Sequence, residues 1–179
     1  MKVSGSEISD KNRPTLFKDS DFVILTADAV KAILEVKTAI RGRARLEEVL
    51  GQVADDAEKV RETNPRLECG VFIYNNSALS DLVVLQALRR VADGNLARRI
   101  NYLCIGPDRF TLFFPGLKKK EQPARWRSFA VPEMAASLFL SFVVWRLTGK
   151  MTAQAMMQWF PITDIPNMKQ TAQLSFEKK

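Results

Sequence analysis

The spacing of apolar positions changes several times along the chain, and each change marks an element. Residues 1–18 are polar and lack a clear period. Two short apolar runs follow, Phe22-Val-Ile-Leu-Thr26 and Val30-Lys-Ala-Ile-Leu-Glu-Val-Lys37, and the intervening Ala27-Asp28-Ala29 predicts an antiparallel hairpin. Behind Gly42, the positions Leu46, Val49, Leu50, Val53, Ala57 and Val60 recur at the helical period, with Asn64-Pro65 as the stop. Cys69-Gly-Val-Phe-Ile-Tyr74 is apolar on both faces, as a doubly covered central strand requires, and Asn75-Asn76-Ser77 breaks it. A second helix is predicted from Ala78 to Ala92, closed by Asp93-Gly94. Ile100–Ile105 and Phe110–Phe114 flank Gly106-Pro107-Asp108-Arg109 as a hairpin. Lys118 to Arg127 reads as a basic loop. Pro132 then opens an apolar helix running to Leu147, with Gly149 behind it. A short helical pattern at Thr152–Trp159 precedes a polar tail. The order β-β-α-β-α-β-β-α predicts a layered α/β domain.

Composition narrows the chemistry. A chain of 179 residues, 46% hydrophobic and 26% charged, can bury a substantial core and is far from a disordered composition. There is no histidine, which excludes Ser-His-Asp and Cys-His triads, His-Glu-x-x-His zinc sites and histidine-based one-metal nucleases. Cys69 and Cys104 are too few for a zinc knuckle or a disulfide framework, and their apolar surroundings suit reduced, buried thiols. Met1–Ser20 has no apolar signal segment. The longest apolar stretch, Met134–Trp145, is broken by Ser137 and Ser141 and falls short of the roughly 20 residues of a spanning helix. The expectation is a cytoplasmic protein without membrane contact. Lys and Arg number 27 against 20 Asp and Glu, a net +7 that favours polyanionic partners without proving one.

The second apolar run carries the informative feature. Glu35 and Lys37 lie two apart near its end, and in a strand such residues share a face. Burying them is costly unless they pair with each other or with a metal. If the predicted hairpin turns at Asp28 without a bulge, Asp21 faces Glu35 and Asp19 faces Lys37. Carboxylates that close need a cation between them, and Mg²⁺ prefers such oxygen ligands. Arg41, Arg43 and Arg45 follow directly, either as phosphate contacts or as a solvated helix start. Lys118, Lys119 and Lys120 with Arg125, Trp126 and Arg127 read as a phosphate-gripping loop with a stacking aromatic, or as an ordinary basic surface.

An Asp before one strand and Glu-x-Lys at the end of the next, with a helix behind, resembles the PD-(D/E)xK nuclease superfamily. More narrowly, Arg13-Pro14-Thr-Leu-Phe17, Asp21-Phe-Val-Ile24 and Val30-Lys-Ala-Ile-Leu-Glu-Val-Lys-Thr38 are similar to an uncharacterised bacterial branch of it, the domain of unknown function 6602. The likeness is closest over residues 8–40 and extends through the pattern of elements to about residue 115. It implies a restriction-endonuclease-like mixed β-sheet flanked by helices. The part before the Asp-bearing strand is abbreviated, and a helical extension follows at the C-terminus. The corresponding division is a polar segment 1–18, a nuclease-like core 19–130, and an apolar helix with tail 131–179 that packs on the core or on a partner. The resemblance implies that Asp21, Glu35 and the Val36 carbonyl ligate Mg²⁺ or Mn²⁺, while Lys37 orients the attacking water and balances charge on the phosphate. Gln52 matches a helix glutamine that some members place near the site, although its neighbours Glu47, Glu48, Asp55 and Asp56 suit a solvated face. Gly5 stands where the narrower family has a leading Asp, so that either the chain is truncated, or Glu7, Asp10 or Asp19 substitutes, or the site is degenerate. The function implied is metal-dependent hydrolysis of DNA, rather than RNA, in bacterial or phage defence or restriction. The alternatives are an inactive nuclease-like module that binds nucleic acid or protein, and a purely structural subunit. A homodimer or protein partner would use the C-terminal apolar helices.

Overall fold

The computed structural model describes residues 15–18, 23–75, 78–116, 122–148 and 169–176, with backbone alone for the first two strands. Strands β1 (Thr15–Lys18) and β2 (Val23–Leu25) form an antiparallel ribbon. A 3₁₀ turn at Ala27–Ala29 leads to β3 (Ala32–Lys37), followed by α1 (Arg43–Arg61) and β4 (Glu68–Ile73). Next come α2 (Asp81–Ala92), a 3₁₀ turn at Leu96–Arg98, β5 (Tyr102–Ile105) and β6 (Arg109–Phe114). The described chain ends with β7 (Arg125–Ala130), α3 (Ala135–Thr148) and β8 (Lys169–Ser175). Strands β3 to β8 build one six-stranded sheet in chain order. The β3-β4 and β4-β5 pairs are parallel, and the remaining pairs antiparallel.

Burial on both faces of β4 and β5 sets the layers. Cys69, Val71, Ile73, Leu103 and Ile105 point to one side, where α1 packs through Leu46, Val49, Leu50, Val53, Ala54 and Ala57, and α2 through Val84, Leu85 and Leu88. Tyr102, Cys104 and Phe110 point to the other side and meet Leu138, Phe139 and Val143 of α3. Phe139 lies against the backbone of β4. A Cβ at Gly70 would come within 2.9 Å of its Cζ and 3.0 Å of Leu34 Cδ2, so only glycine permits the approach. α2 begins at Asp81, later than the Ala78 start expected, behind a Ser80 side chain that accepts from Val83 N, and Asp93 closes it in the left-handed region at φ 47° as the sequence indicates. Among the described residues no helix is long and apolar enough to cross a membrane.

A buried arginine ties these layers together at the end where the parallel strands begin. Arg61, 5% exposed at the end of α1, donates five hydrogen bonds. Two go to Leu67 O, and one each to Ala97 O and Arg99 O at 2.7 Å and to Asn101 Oδ1 at 2.7 Å. Asn101 Oδ1 also accepts from Cys69 N at 2.9 Å. All of Arg61's acceptors are neutral, and burial holds the guanidinium down at about 10.

Four sequence expectations are corrected. The runs before and after Asp28 do not pair: β2 joins β1, while β3 finds β4 through the α1 crossover. The three residues between them close a 3₁₀ turn, with Ala29 N to Thr26 O at 3.0 Å and Val30 N to Ala27 O at 3.2 Å. The polar first segment contains β1. The basic loop ends in β7, whose alternation is hidden by its arginines: Trp126 is 1% exposed and donates to Ile100 O at 2.9 Å, so it cannot stack on a base. The polar tail contains β8, an edge strand in which Ala172 and Leu174 pack on the core while the exposed positions stay polar. The helical pattern at Thr152–Trp159 lies outside the described residues.

Two substitutions test this packing. Arg61→Met strands several buried acceptors and should lower the stability measured from urea unfolding by about 3 kcal/mol. Gly70→Ala forces Phe139 off β4 and should cost roughly 1–3 kcal/mol in the same measurement.

Candidate active site

Among the described residues β3 is one of the two edge strands of the sheet, opposite β8, and its two faces differ. Ile33 packs on the α1–α2 core, and Glu35 and Lys37 follow on that face as the strand runs out. Leu34 and Val36 face the α3 side and are 41% and 59% exposed. Lys37 Nζ lies 2.5 Å from Glu35 Oε1, with side chains 31% and 36% exposed. The shared face read from the spacing is therefore formed, and the two charges hold each other. Exposed pairs of this kind contribute about 0–1 kcal/mol, so stability alone gives little reason to end an apolar strand with them.

The ladder also decides what the Val36 carbonyl can do. Glu68 N donates to Lys31 O at 3.1 Å and Tyr74 N to Lys37 O at 2.9 Å, so the odd-numbered residues of β3 bond to β4. The even-numbered ones, Val36 included, direct their backbone groups to the open edge, where no strand pairs with β3 among the described residues. An edge-facing carbonyl beside a carboxylate is an all-oxygen donor pair of the kind a hard divalent cation takes. Among the described residues no group of three or more ligating side chains gathers around it. Glu35 and Val36 thus fit part of a Mg²⁺ or Mn²⁺ site.

The other candidates divide by position. Asp21 and Asp19 lie outside the described residues, and the hairpin register that set them opposite Glu35 and Lys37 is not formed. Gln52 is exposed on α1. Arg43 Nε donates to Glu47 Oε1 at 2.7 Å, Arg45 pairs with Glu48, and Arg41 is exposed just before the helix. These arginines follow β3 in the chain, and two of them are engaged within α1. Lys118, Lys119 and Lys120 are outside the described residues. Arg125 and Arg127 sit on β7, four strands from β3, roughly 19 Å across the sheet. Arg127 lies over the Phe114 ring at 4.9 Å, Arg125 Nη2 donates to Gln122 Oε1 at 3.3 Å, and both Nε atoms are buried without a hydrogen-bond partner. The structure therefore joins Glu35, Val36 and Lys37 and keeps Arg125 and Arg127 apart from them.

With the geometry in place, comparison with known proteins adds the fold relationship. No family model matches the chain, and no curated protein matches it in sequence. Among solved structures, the cAAA-bound form of NucC from E. coli MS115-1 superposes with a TM-score of 0.54 at 14% identity, covering 84% of this chain and 66% of that one. The cAAA-bound form of NucC from P. aeruginosa ATCC27853 gives 0.54 at 14% identity, with 87% and 68% covered. The apo form from E. coli MS115-1 gives 0.53 at 14% identity, with 84% and 71% covered. The chain thus spans about two thirds of the length of these proteins. At this identity the likeness establishes the fold: among the described residues, a mixed six-stranded sheet with three helices that resembles the NucC fold.

The thiols stand apart from this chemistry. Cys69 and Cys104 are both free and fully buried, and burial pushes them up to about 11 and about 12. At pH 8 about one thiolate in a thousand, or fewer, is present. Iodoacetamide should label the native protein at least a hundredfold more slowly than free cysteine, and urea should release both thiols.

Proposed function

We propose that this protein is a metal-dependent nuclease of the PD-(D/E)xK type that hydrolyses phosphodiester bonds in DNA. The carrying observation is the Glu35–Lys37 pair at the end of an edge strand, beside an edge-facing carbonyl, in a fold resembling that of NucC. That likeness supports the nuclease part of the reading and, with it, a setting in bacterial or phage defence or restriction inside the cytoplasm.

In this mechanism Glu35, the Val36 carbonyl and Asp21 would hold Mg²⁺ or Mn²⁺. The ion, when bound, would supply a water of lowered pKa and neutralise charge on the phosphate. Lys37 has three ammonium donors and gives one to Glu35, so two remain to orient the attacking water and a phosphoryl oxygen. Its positive charge would balance the negative charge that develops on the pentavalent phosphate. Arg41, Arg43 and Arg45 would take flanking phosphates on the β3 side, with Gln52 exposed on the same helix as Arg43 and Arg45. Arg125, Arg127 and Lys118–Lys120 would extend the basic surface. The exposed Leu140, Val144, Trp145 and Leu147 of α3 are the side chains a second copy or a protein partner would cover.

One observation favours a second reading. Among the described residues Glu35 belongs to no group of three or more ligating side chains, which suits a silent nuclease fold that binds nucleic acid without cutting it.

Cleavage of labelled double- and single-stranded DNA with Mg²⁺, Mn²⁺ or EDTA separates the two. Metal-dependent cutting should fall by about a hundredfold to a thousandfold in Glu35→Ala and in Lys37→Ala, with melting temperatures close to the parent's. No cutting by any form, with salt-sensitive DNA binding unchanged by both substitutions, would establish the silent module instead. Arg41→Ala should weaken DNA binding regardless of sequence and reduce the salt slope by about one.

A further inference from the structure

Beside the Arg61 clamp, at the end of the sheet where the parallel strands begin, lies a cavity of about 820 Å³. That volume lies within the range of small-ligand sites. Its polar wall holds Arg66, Arg99, Asn101 and Arg146 with Glu68, and Phe113 lies on its apolar side. Among the described lining residues, three arginines against one glutamate leave a formal charge of +2. The glutamate is already engaged: Oε2 accepts from the Tyr102 hydroxyl at 2.7 Å, and Oε1 stands 3.8 Å from Arg146 Nε. Arg99 donates only to neutral carbonyls, Leu96 O at 2.8 Å and Pro65 O at 3.4 Å. Arg66 makes no side-chain hydrogen bond or ion pair among the described residues, and Arg61 behind the cavity has only neutral acceptors. Burial holds Arg99 below the usual arginine range; the Glu68 carboxylate opposes this, and the charge of Arg146 adds to it. Four guanidiniums thus share one carboxylate in one region, an arrangement that an anion would relieve.

The geometry points to a binding site for an organic phosphate of nucleotide size, its phosphates held by Arg66, Arg99 and Arg146 and its ring set against the apolar wall at Phe113. Arginine forks suit phosphate oxygens, and two or more phosphates would match the excess charge. The site is separate from the Glu35–Lys37 pair: Glu68 stands in register with Ala32, five steps before Lys37, or roughly 16 Å along the strand. It therefore stands whether or not that pair cuts DNA. Its ligand would bridge the α1–β4 turn, the start of β5 and the last turn of α3, three parts of the chain that this end of the sheet brings together.

Calorimetric titration and thermal melting of the full chain with ATP, inorganic pyrophosphate and adenosine, without metal, test the site. ATP and pyrophosphate should bind and raise the melting temperature, and adenosine should do neither. Arg66→Ala and Arg146→Ala should each weaken ATP and pyrophosphate at least tenfold. Arg99→Lys, which keeps the charge and loses the fork, should also weaken both. Arg90→Ala, on the exposed face of α2, and Glu35→Ala should bind as the parent does. Arg66 is exposed and makes none of these side-chain contacts, so its variant should melt like the parent. Equal binding by a folded Arg66→Ala/Arg146→Ala protein would overturn the assignment. So would no binding of either phosphate compound at millimolar concentration, or binding of a short single-stranded DNA alone.

Discussion

Strands β4 and β5 are apolar on both faces, and almost everything else in the molecule follows from the need to cover them. Parallel pairing cannot be closed by a tight turn, so α1 and α2 cross over and supply one cover. The same helices cannot reach the other face, which falls to α3, and Gly70 lets Phe139 settle on the backbone. Charge is then confined to places where cover ends. Among the described residues β3 has one strand neighbour, and its last residues run past the core. An acid and a lysine can stand there half-exposed, whereas the same pair in β4 or β5 would carry the full cost of desolvation.

The opposite end of the strands solves a different problem. The turns that start β4 and β5 leave backbone carbonyls inside the protein, and Arg61 satisfies those of Leu67, Ala97 and Arg99 from one side chain. A guanidinium can do this because its donors fan out in a plane, which no lysine could match. The consequence is a positive charge fixed close to Arg99, with Glu68 the one acidic side chain lining the neighbouring cavity among the described residues. The sheet is therefore polar in an electrical sense. One end offers oxygen donors at β3, and the other offers guanidinium donors around the cavity.

Where burial repeats at a fixed period, the chain is legible from its residues. The apolar stripe of α1, the Asp93 end of α2, the doubly apolar β4 and the β5–β6 hairpin all stand where the residues put them, while α2 starts at Asp81 rather than Ala78. Three residues between two apolar runs, by contrast, look like a hairpin loop whether or not the strands pair. Only the cover required by β3 selects a partner beyond α1. β7 and β8 were hidden because their outward positions carry arginine, glutamine, lysine and threonine, a pattern that reads as loop until Trp126, Ala172 and Leu174 are seen to alternate inward. At the candidate site, the common face of Glu35 and Lys37 follows from the strand period. The free Val36 carbonyl does not, because it depends on which edge of β3 stays unpaired. The arginine-lined cavity had no local signal at all, since Arg66, Arg99 and Arg146 meet only through the fold.

The two ends are joined by β4, a strand paired on both sides and covered on both faces. It begins at Glu68 beside the cavity and ends at Ile73, in register with Lys37. Close-packed interiors do not deform smoothly, so a charge brought to the Glu68 end has no soft path along β4 to the Glu35–Lys37 end. The parts free to respond are those that line the cavity without being locked in the sheet: the α1–β4 turn with Arg66 and the last turn of α3 with Arg146. Beyond that turn, α3 also exposes Leu140, Val144 and Trp145. Any influence of the arginine end on the rest of the protein therefore has its most direct route through α3 and whatever covers its outer face, rather than through the strand that physically connects the two sites.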